Sequence, residues 1–321
     1  MSGRIARPPK LYIDTNHLIN IGRVRRGEKL PPKQSADAYR FLDRCITEHY
    51  GVIFNPFAPI EWTEGNATEQ SASQIAAVID SAQLVYQWEM DQIVYLSEVL
   101  CECQRLDPSL QIPDLPKMQP LTPGGFFRST HAVLARSVPG YFDSVRDPNG
   151  IPENIPVESV SEYVKTTLKL EQENPGRYND RIEGWKASMS YDIHHKDEYF
   201  RSPKHWWLEW MRRFLQVDKV IAAFNPEFHA EMYLQNVDIE NCPAVRLYFD
   251  AREKRIRAGH DPQDNEVDDW QFLPVVPYAD LVLIDRNFRT FILQADRSLE
   301  AKVFANAADA ADVLRKQEFN W

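Results

Sequence analysis

The chain has 321 residues, 43% of them hydrophobic and 26% charged, with a formal net charge of −10. That length supports one large core or two modest ones, and no stretch approaches the roughly 20 apolar residues that cross a bilayer. The acidity argues against a nucleic-acid coat, which would be basic, but not against an enzyme whose metal-binding carboxylates themselves add negative charge.

The opening MSGRIARPPK lacks the apolar core of a secretory signal, so a cytoplasmic protein is expected. Lys10–Ile13 reads as a short buried strand. Thr15–Arg26 reads as a helix with Leu18, Ile19 and Ile21 on its apolar side, and Ser35–His49 carries Tyr39, Phe41, Leu42, Cys45 and Ile46 at helical spacing. Gly51–Phe54 is a second strand, ended by Asn55-Pro56, and a helix bearing Glu61 is expected from about Ala58. From Ala67 to Arg105 the pattern is helical, through Ile75, Val78, Ile79, Ala82, Val85, Tyr86, Ile93, Leu96 and Leu100.

Cys101-x-Cys103 in that stretch suits neither a zinc knuckle nor a redox motif, and with Cys45 and Cys242 it predicts idle or buried thiols in a reducing compartment. Pro108, Pro113, Pro116, Pro120 and Pro123 then predict a semi-rigid connector, because proline blocks regular pairing. Helical segments follow at Thr130–Arg136 and Val157–Glu173. A strong helix is expected over Lys204–Phe224, with Trp206, Trp207, Trp210, Phe214, Val217 and Ile221. The end reads as helices at Pro243–Arg257 and Glu266–Leu273, a strand at Leu281–Ile284, a helix at Asn287–Gln294, a strand at Lys302–Phe304 and a helix at Ala308–Lys316.

Alternation of strand and helix at both ends predicts an α/β, three-layer α/β/α domain with a parallel, Rossmann-like central sheet. It would be discontinuous, spanning residues 1–66 and 241–321, with residues 67–240 as a mostly helical insertion.

Two strands end in aspartate: LYID at Asp14 and LVLID at Asp285. In open parallel sheets the working groups gather at the carboxyl ends of strands. Carboxylates held close there repel, so a cation is their natural partner, and oxygen ligands suit magnesium or manganese. Glu61 follows the second strand. Glu266 and Asp269 share one face of the helix before LVLID. Asp280 stands about 16 Å from Asp285 at strand rise and reads as the strand's opposite boundary. For Asp14 alone, capping the next helix is an equally good explanation.

LYIDTN, then Glu61 in PFAPIEW, then NEVDD and PYADLVLIDRNF together resemble the PIN domain. The resemblance implies a metal-dependent nuclease, an endoribonuclease in most of the family and a toxin in many bacterial members. It implies Asp14, Asp269 and Asp285 as metal ligands for Mg2+ or Mn2+, Glu61 as a fourth catalytic acid that orients or deprotonates water, and Asn16 in a supporting role. The family's Asn-Asp pair is Asn265-Glu266 here, so Glu266 stands beside Asp269 as the third acid. Hydrolysis would leave a 3′-hydroxyl and a 5′-phosphate.

Three basic clusters could draw in phosphates: Arg23, Arg25 and Arg26, best placed by sequence near Asp14; Arg201, Lys204, Arg212 and Arg213; and Arg252, Lys254, Arg255 and Arg257. Each also reads as a solvated helix face. His194-His195 with Asp192 and Asp197 is a weaker zinc motif, since adjacent histidines diverge on a helix. Nucleic acid, foremost RNA, is the expected partner. The insertion would suit a protein partner such as an antitoxin, or a role in defence. A homodimer is compatible with the sequence and a membrane is not expected. Two alternatives stand beside the nuclease. One is a PIN-like binding module with a decayed site, for which Glu266 and Ile284, where the family commonly has threonine before the last aspartate, speak. The other is a phosphatase of the haloacid-dehalogenase type, which Asn16 disfavours because that chemistry needs a second aspartate there.

Overall fold

A computed structural model describes residues 8–54, 69–88, 91–121, 126–128, 134, 136–138, 141, 154–156, 159–173, 177–227, 229–259 and 270–318. β1 (Lys10–Ile13) runs into α1 (Thr15–Arg25), and α2 (Ala36–Glu48) returns the chain to β2 (Gly51–Phe54). α3 (Glu69–Asp80), β3 (Leu84–Trp88), α4 (Asp91–Leu106) and β4 (Met118–Leu121) follow, then a separate antiparallel pair, β5 (Phe126–Arg128) and β6 (Asn154–Pro156). Next come α5 (Val160–Glu173), α6 (Arg177–His194), α7 (Lys196–Arg201), α8 (Pro203–Arg213), α9 (Val217–Phe224) and α10 (Ala230–Leu234). α11 (Pro243–Ala258), a 3-10 stretch Leu273–Tyr278, β7 (Leu281–Leu283), α12 (Arg286–Ala295), β8 (Val303–Phe304) and α13 (Ala307–Glu318) complete the chain.

Successive strand residues point to opposite faces, yet Leu11, Tyr12 and Ile13 are all buried. β1 is therefore covered on both sides, as parallel sheets require. It lies inside a six-stranded sheet of order β4-β3-β2-β1-β7-β8, parallel throughout except where β4 runs against β3. From β1 the chain moves one way, through α1, α2 and α3, to β2 and β3. On the other side of β1 it moves the other way, from β7 through α12 to β8. Right-handed crossovers then put α1–α3 and α12 on opposite faces. In keeping with this, α1 packs on α2 and α3, and α13 on α2, whereas α11 packs along α12, the 3-10 stretch, α4 and α6. The architecture is α/β, with a mostly parallel sheet between helices.

The strand order reverses between β1 and β7. That switch point is what the fold offers a ligand: neighbouring connections leave in opposite directions there, opening a crevice at the carboxyl ends.

Several expected elements differ. Residues 84–88, read as helix, form β3. Val85, Tyr86, Gln87 and Trp88 are all buried, and a strand covered on both faces has an apolar run that periodicity alone does not separate from helix. The sheet therefore extends past residue 66 and takes two strands from the stretch expected to be a helical insertion. The proline-rich connector contains β4, with Pro120 opposite Tyr86. An edge strand tolerates a proline, since only one side needs ladder bonds. The long helix expected over Lys204–Phe224 breaks into α8 and α9 at Gln216, which adopts a left-handed φ of 52°. α6 and α7 were not anticipated. Residues 260–269 lie outside the described residues; 270–272 are helical and the chain then tightens into the 3-10 stretch, where Pro274 and Pro277 exclude a regular helix.

Polar pins tie the helical part to the sheet. On α4, buried Glu98 accepts the backbone N–H groups of Ala244 and Val245, each at 3.0 Å, and the Tyr278 hydroxyl. It thus caps α11 beside the entry to β7. Asp192 on α6 and Arg252 on α11 form a buried ion pair. Trp210 lies in an aromatic cluster with Tyr95, Tyr248 and Phe249. At the sheet's other edge, Arg289 Nε donates to the Val303 carbonyl at 2.9 Å. No helix among the described residues is long and apolar enough to cross a membrane.

Candidate functional site

Asp14 and Asp285 stand side by side at the switch point. Ile13 pairs with Leu283 in the β1–β7 ladder, and Asp14 N donates to the Leu283 carbonyl at 2.8 Å. Asp285 is one residue further along the neighbouring strand. One strand spacing across and one residue along put the two backbones roughly 6 Å apart.

Each aspartate is also a helix N-cap. Asp14 accepts from Asn16 N at 3.4 Å at the start of α1, and Asp285 Oδ1 accepts from Asn287 N at 2.6 Å and Phe288 N at 3.1 Å at the start of α12. Capping and metal binding are not rivals here. Both bonds to Asp285 fall on Oδ1, so Oδ2 makes no hydrogen bond within the described residues. Burial first, and then the negative charge of Asp285, push the Asp14 carboxyl up to about 6 against the lowering effect of the Asn16 N–H. The exposed Asn16 side chain lies close enough to the Asp14 carboxylate to lower its pKa in the same sense.

These oxygens fit a hard divalent cation. They come from rigid strand ends, one has no hydrogen-bond partner among the described residues, and the like charges disfavour each other until a cation intervenes. Glu61, Glu266 and Asp269 lie outside the described residues, and among the described residues no three His, Cys, Asp or Glu side chains gather as a metal group.

A residue not expected from sequence supports this edge. His17, buried on α1, has Nε2 3.2 Å from the Ile284 carbonyl and Nδ1 2.8 Å from the Tyr39 hydroxyl. Burial lowers the pKa of its ring, although the Ile284 carbonyl and Asp285 act the other way. Burial therefore favours the neutral ring. A carbonyl only accepts, so Nε2 carries the proton and Nδ1 accepts from Tyr39. The Tyr39 oxygen in turn accepts from Asn20 Nδ2 at 3.1 Å, and the Gln34 amide, 3.0 Å away, can turn its NH2 toward it. α1, α2 and the peptide just before Asp285 are thereby joined. The sequence cue is a set of polar residues, His17 and Asn20, on the face that also buries Leu18 and Ile21.

The first basic cluster is not at this mouth. α1 runs away from Asp14, and by helix rise its last turn is about 16 Å distant. Arg25 there pairs with Asp43 and donates to Ser81 Oγ at 2.6 Å, on the turn that precedes β3 and so at the opposite edge of the sheet. Arg26 pairs with Glu28, and Arg23 reaches Asn20 at 3.4 Å. In the third cluster, Arg252 is consumed by Asp192, and Arg257 pairs with Glu253 and lies over the Phe200 ring. The zinc motif dissolves: Asp192 belongs to Arg252, while His194 and His195 bond to the carbonyls of Ser190 and Tyr191. Asp280 accepts from Lys10 N at 2.7 Å at the far edge, as its position in the strand requires. All four cysteines are free thiols, and only Cys101 is exposed.

No family model, curated protein or solved structure matches the chain.

Proposed function

We propose that the chain is a metal-dependent endonuclease of PIN-like design, an endoribonuclease before a deoxyribonuclease. The observation that carries this is the pairing of Asp14 and Asp285 at the switch point, with Asp14 raised to about 6 and one Asp285 oxygen without a hydrogen bond among the described residues. Two neighbouring carboxylates repel each other, which makes them a poor structural device and a good ligand set.

In this proposal Asp14, Asp285 and Asp269, with Glu266 as the alternative third acid, hold Mg2+ or Mn2+. When bound, the cation supplies charge neutralisation for the phosphoryl group and makes water a better nucleophile. Glu61 orients the attacking water and takes its proton. Water attacks phosphorus, the P–O3′ bond breaks, and the proton returned to O3′ leaves a 3′-hydroxyl and a 5′-phosphate. Asn16, bonded to Asp14, holds that carboxylate in place, and His17 holds the peptide ahead of Asp285.

The test is cleavage of end-labelled RNA and single-stranded DNA with manganese, magnesium or chelator. Asp14→Asn and Asp285→Asn each keep the side-chain oxygen that caps a helix while removing the charge. Both should lose cleavage by at least about a hundredfold, judged by the usual cost of losing a metal-site residue, with an unchanged far-UV spectrum. Cleavage that persists in chelator or in both variants would overturn the proposal. A coloured phosphomonoester should stay intact throughout.

A further inference from the structure

On the helical side, the end of α6, α7 and α8 line an open cavity of about 380 Å³. Its walls include Tyr191, Trp206, Arg201, His205 and Glu198. Tyr191 is 53% exposed, one of few large hydrophobic side chains left open among the described residues. Its ring stacks on His195 with centroids 3.9 Å apart and lies 5.9 Å from Trp206. Trp206 also contacts Tyr199, while Trp210 on the same helix is spent on the aromatic core.

The charges in the cavity are unevenly used. Glu209 is bound by Arg213 at 2.9 Å and Arg212 at 3.5 Å. Among the described residues Arg201 and the His205 ring make no ion pair or side-chain hydrogen bond, although two carboxylates line the same cavity. An aromatic wall beside an unpaired guanidinium is the chemistry that takes a base by stacking and a phosphate by charge. Glu198, an acceptor only, suits the exocyclic amine of a base.

The cavity also lies toward the proper end of the molecule. Arg246, near the start of α11, bonds Asp296, just past the end of α12, at 2.7 Å, and the two helices pack along each other. Arg257 is as far along α11 from Arg246 as Asp285 is along α12 from Asp296, about 16 Å by helix rise. Arg257 therefore stands near the level of Asp285, and Phe200, adjacent to Arg201, covers it at 4.1 Å.

We infer that this cavity is a nucleotide subsite that holds one base and its phosphate, with Tyr191 and Trp206 on the base and Arg201 and His205 on the phosphate. Its place on a strand being cut rests on the nuclease proposal; binding itself does not. The probes are AMP, adenosine, inorganic phosphate and a fluorescein-labelled single-stranded RNA. Each is titrated by calorimetry or anisotropy in chelator, so that cleavage plays no part. AMP should bind more tightly than adenosine or phosphate alone. Tyr191→Ala and Arg201→Ala should each weaken AMP about tenfold, in the range of one lost stacking or charged contact, and should weaken the RNA in parallel. Both positions are exposed, so melting temperatures should match wild type. AMP that fails to bind at millimolar concentration, or binds both variants as it binds wild type, overturns the subsite. If the variants lose AMP while wild type cuts no nucleic acid, the subsite stands and the nuclease proposal falls; if Asp14→Asn abolishes cutting while the variants keep AMP, the reverse holds.

Discussion

Asp14 carries a titration that can be followed without any substrate. Its carboxyl is raised from 3.8 to about 6 in the folded chain, so between these values the native state holds a proton that the unfolded chain has released. Stability from this group is greatest below about pH 4 and falls as pH rises toward 6. Urea unfolding across that window should show this loss, Asp14→Asn should remove it, and Mg2+ should raise the melting temperature more at pH 7.5 than at pH 5, because the cation competes with the proton. His17→Phe should cost about 1–3 kcal/mol in urea unfolding, by leaving the Tyr39 hydroxyl and the Ile284 carbonyl without the imidazole. The two aspartates were legible in the sequence because a carboxylate that ends an apolar strand is a local signal. His17 was not, because its meaning lies in residues 22 and 267 positions away. Arg25 was misplaced for a related reason: sequence proximity to Asp14 hid the length of the helix between them.

β2 and β3 meet at a contact that only glycine allows. A Cβ built at Gly51 would lie 2.3 Å from the Tyr86 ring. Gly51→Ala should therefore destabilise by about 1–3 kcal/mol through overpacking, and Tyr86→Leu in the same chain should recover much of it, as thermal melts of the single and double variants would show. Strands β1, β2, β7 and β8 and the helices beside them were readable from short apolar runs bounded by turn residues and from helical spacing. β3 was not, since a buried strand inside a helical context shows no alternation. The α8–α9 break at Gln216 was equally hidden, because the apolar spacing of Trp210, Phe214, Val217 and Ile221 continues across it. The third and fourth acids, Glu61 and Asp269 or Glu266, rest on sequence alone.

Over the whole molecule the parallel sheet and the helical part share one buried cluster, which runs from Leu11 through Met189, Met211 and Val217 to Leu314. Division at residues 66 and 241 cuts through that cluster and through the sheet. Deleting residues 67–240 should thus yield an insoluble product rather than a minimal nuclease, as soluble yield and circular dichroism would report, because β2 would lose β3 and α11 would lose the Glu98 cap. The sheet itself is blunt at both sides. β4 presents Pro120, which has no N–H to offer, and β8 is two residues long with its Val303 carbonyl already occupied by Arg289. Both rims of this six-stranded sheet are thus poor templates for a further strand, which disfavours pairing of copies of this chain by extension of this sheet.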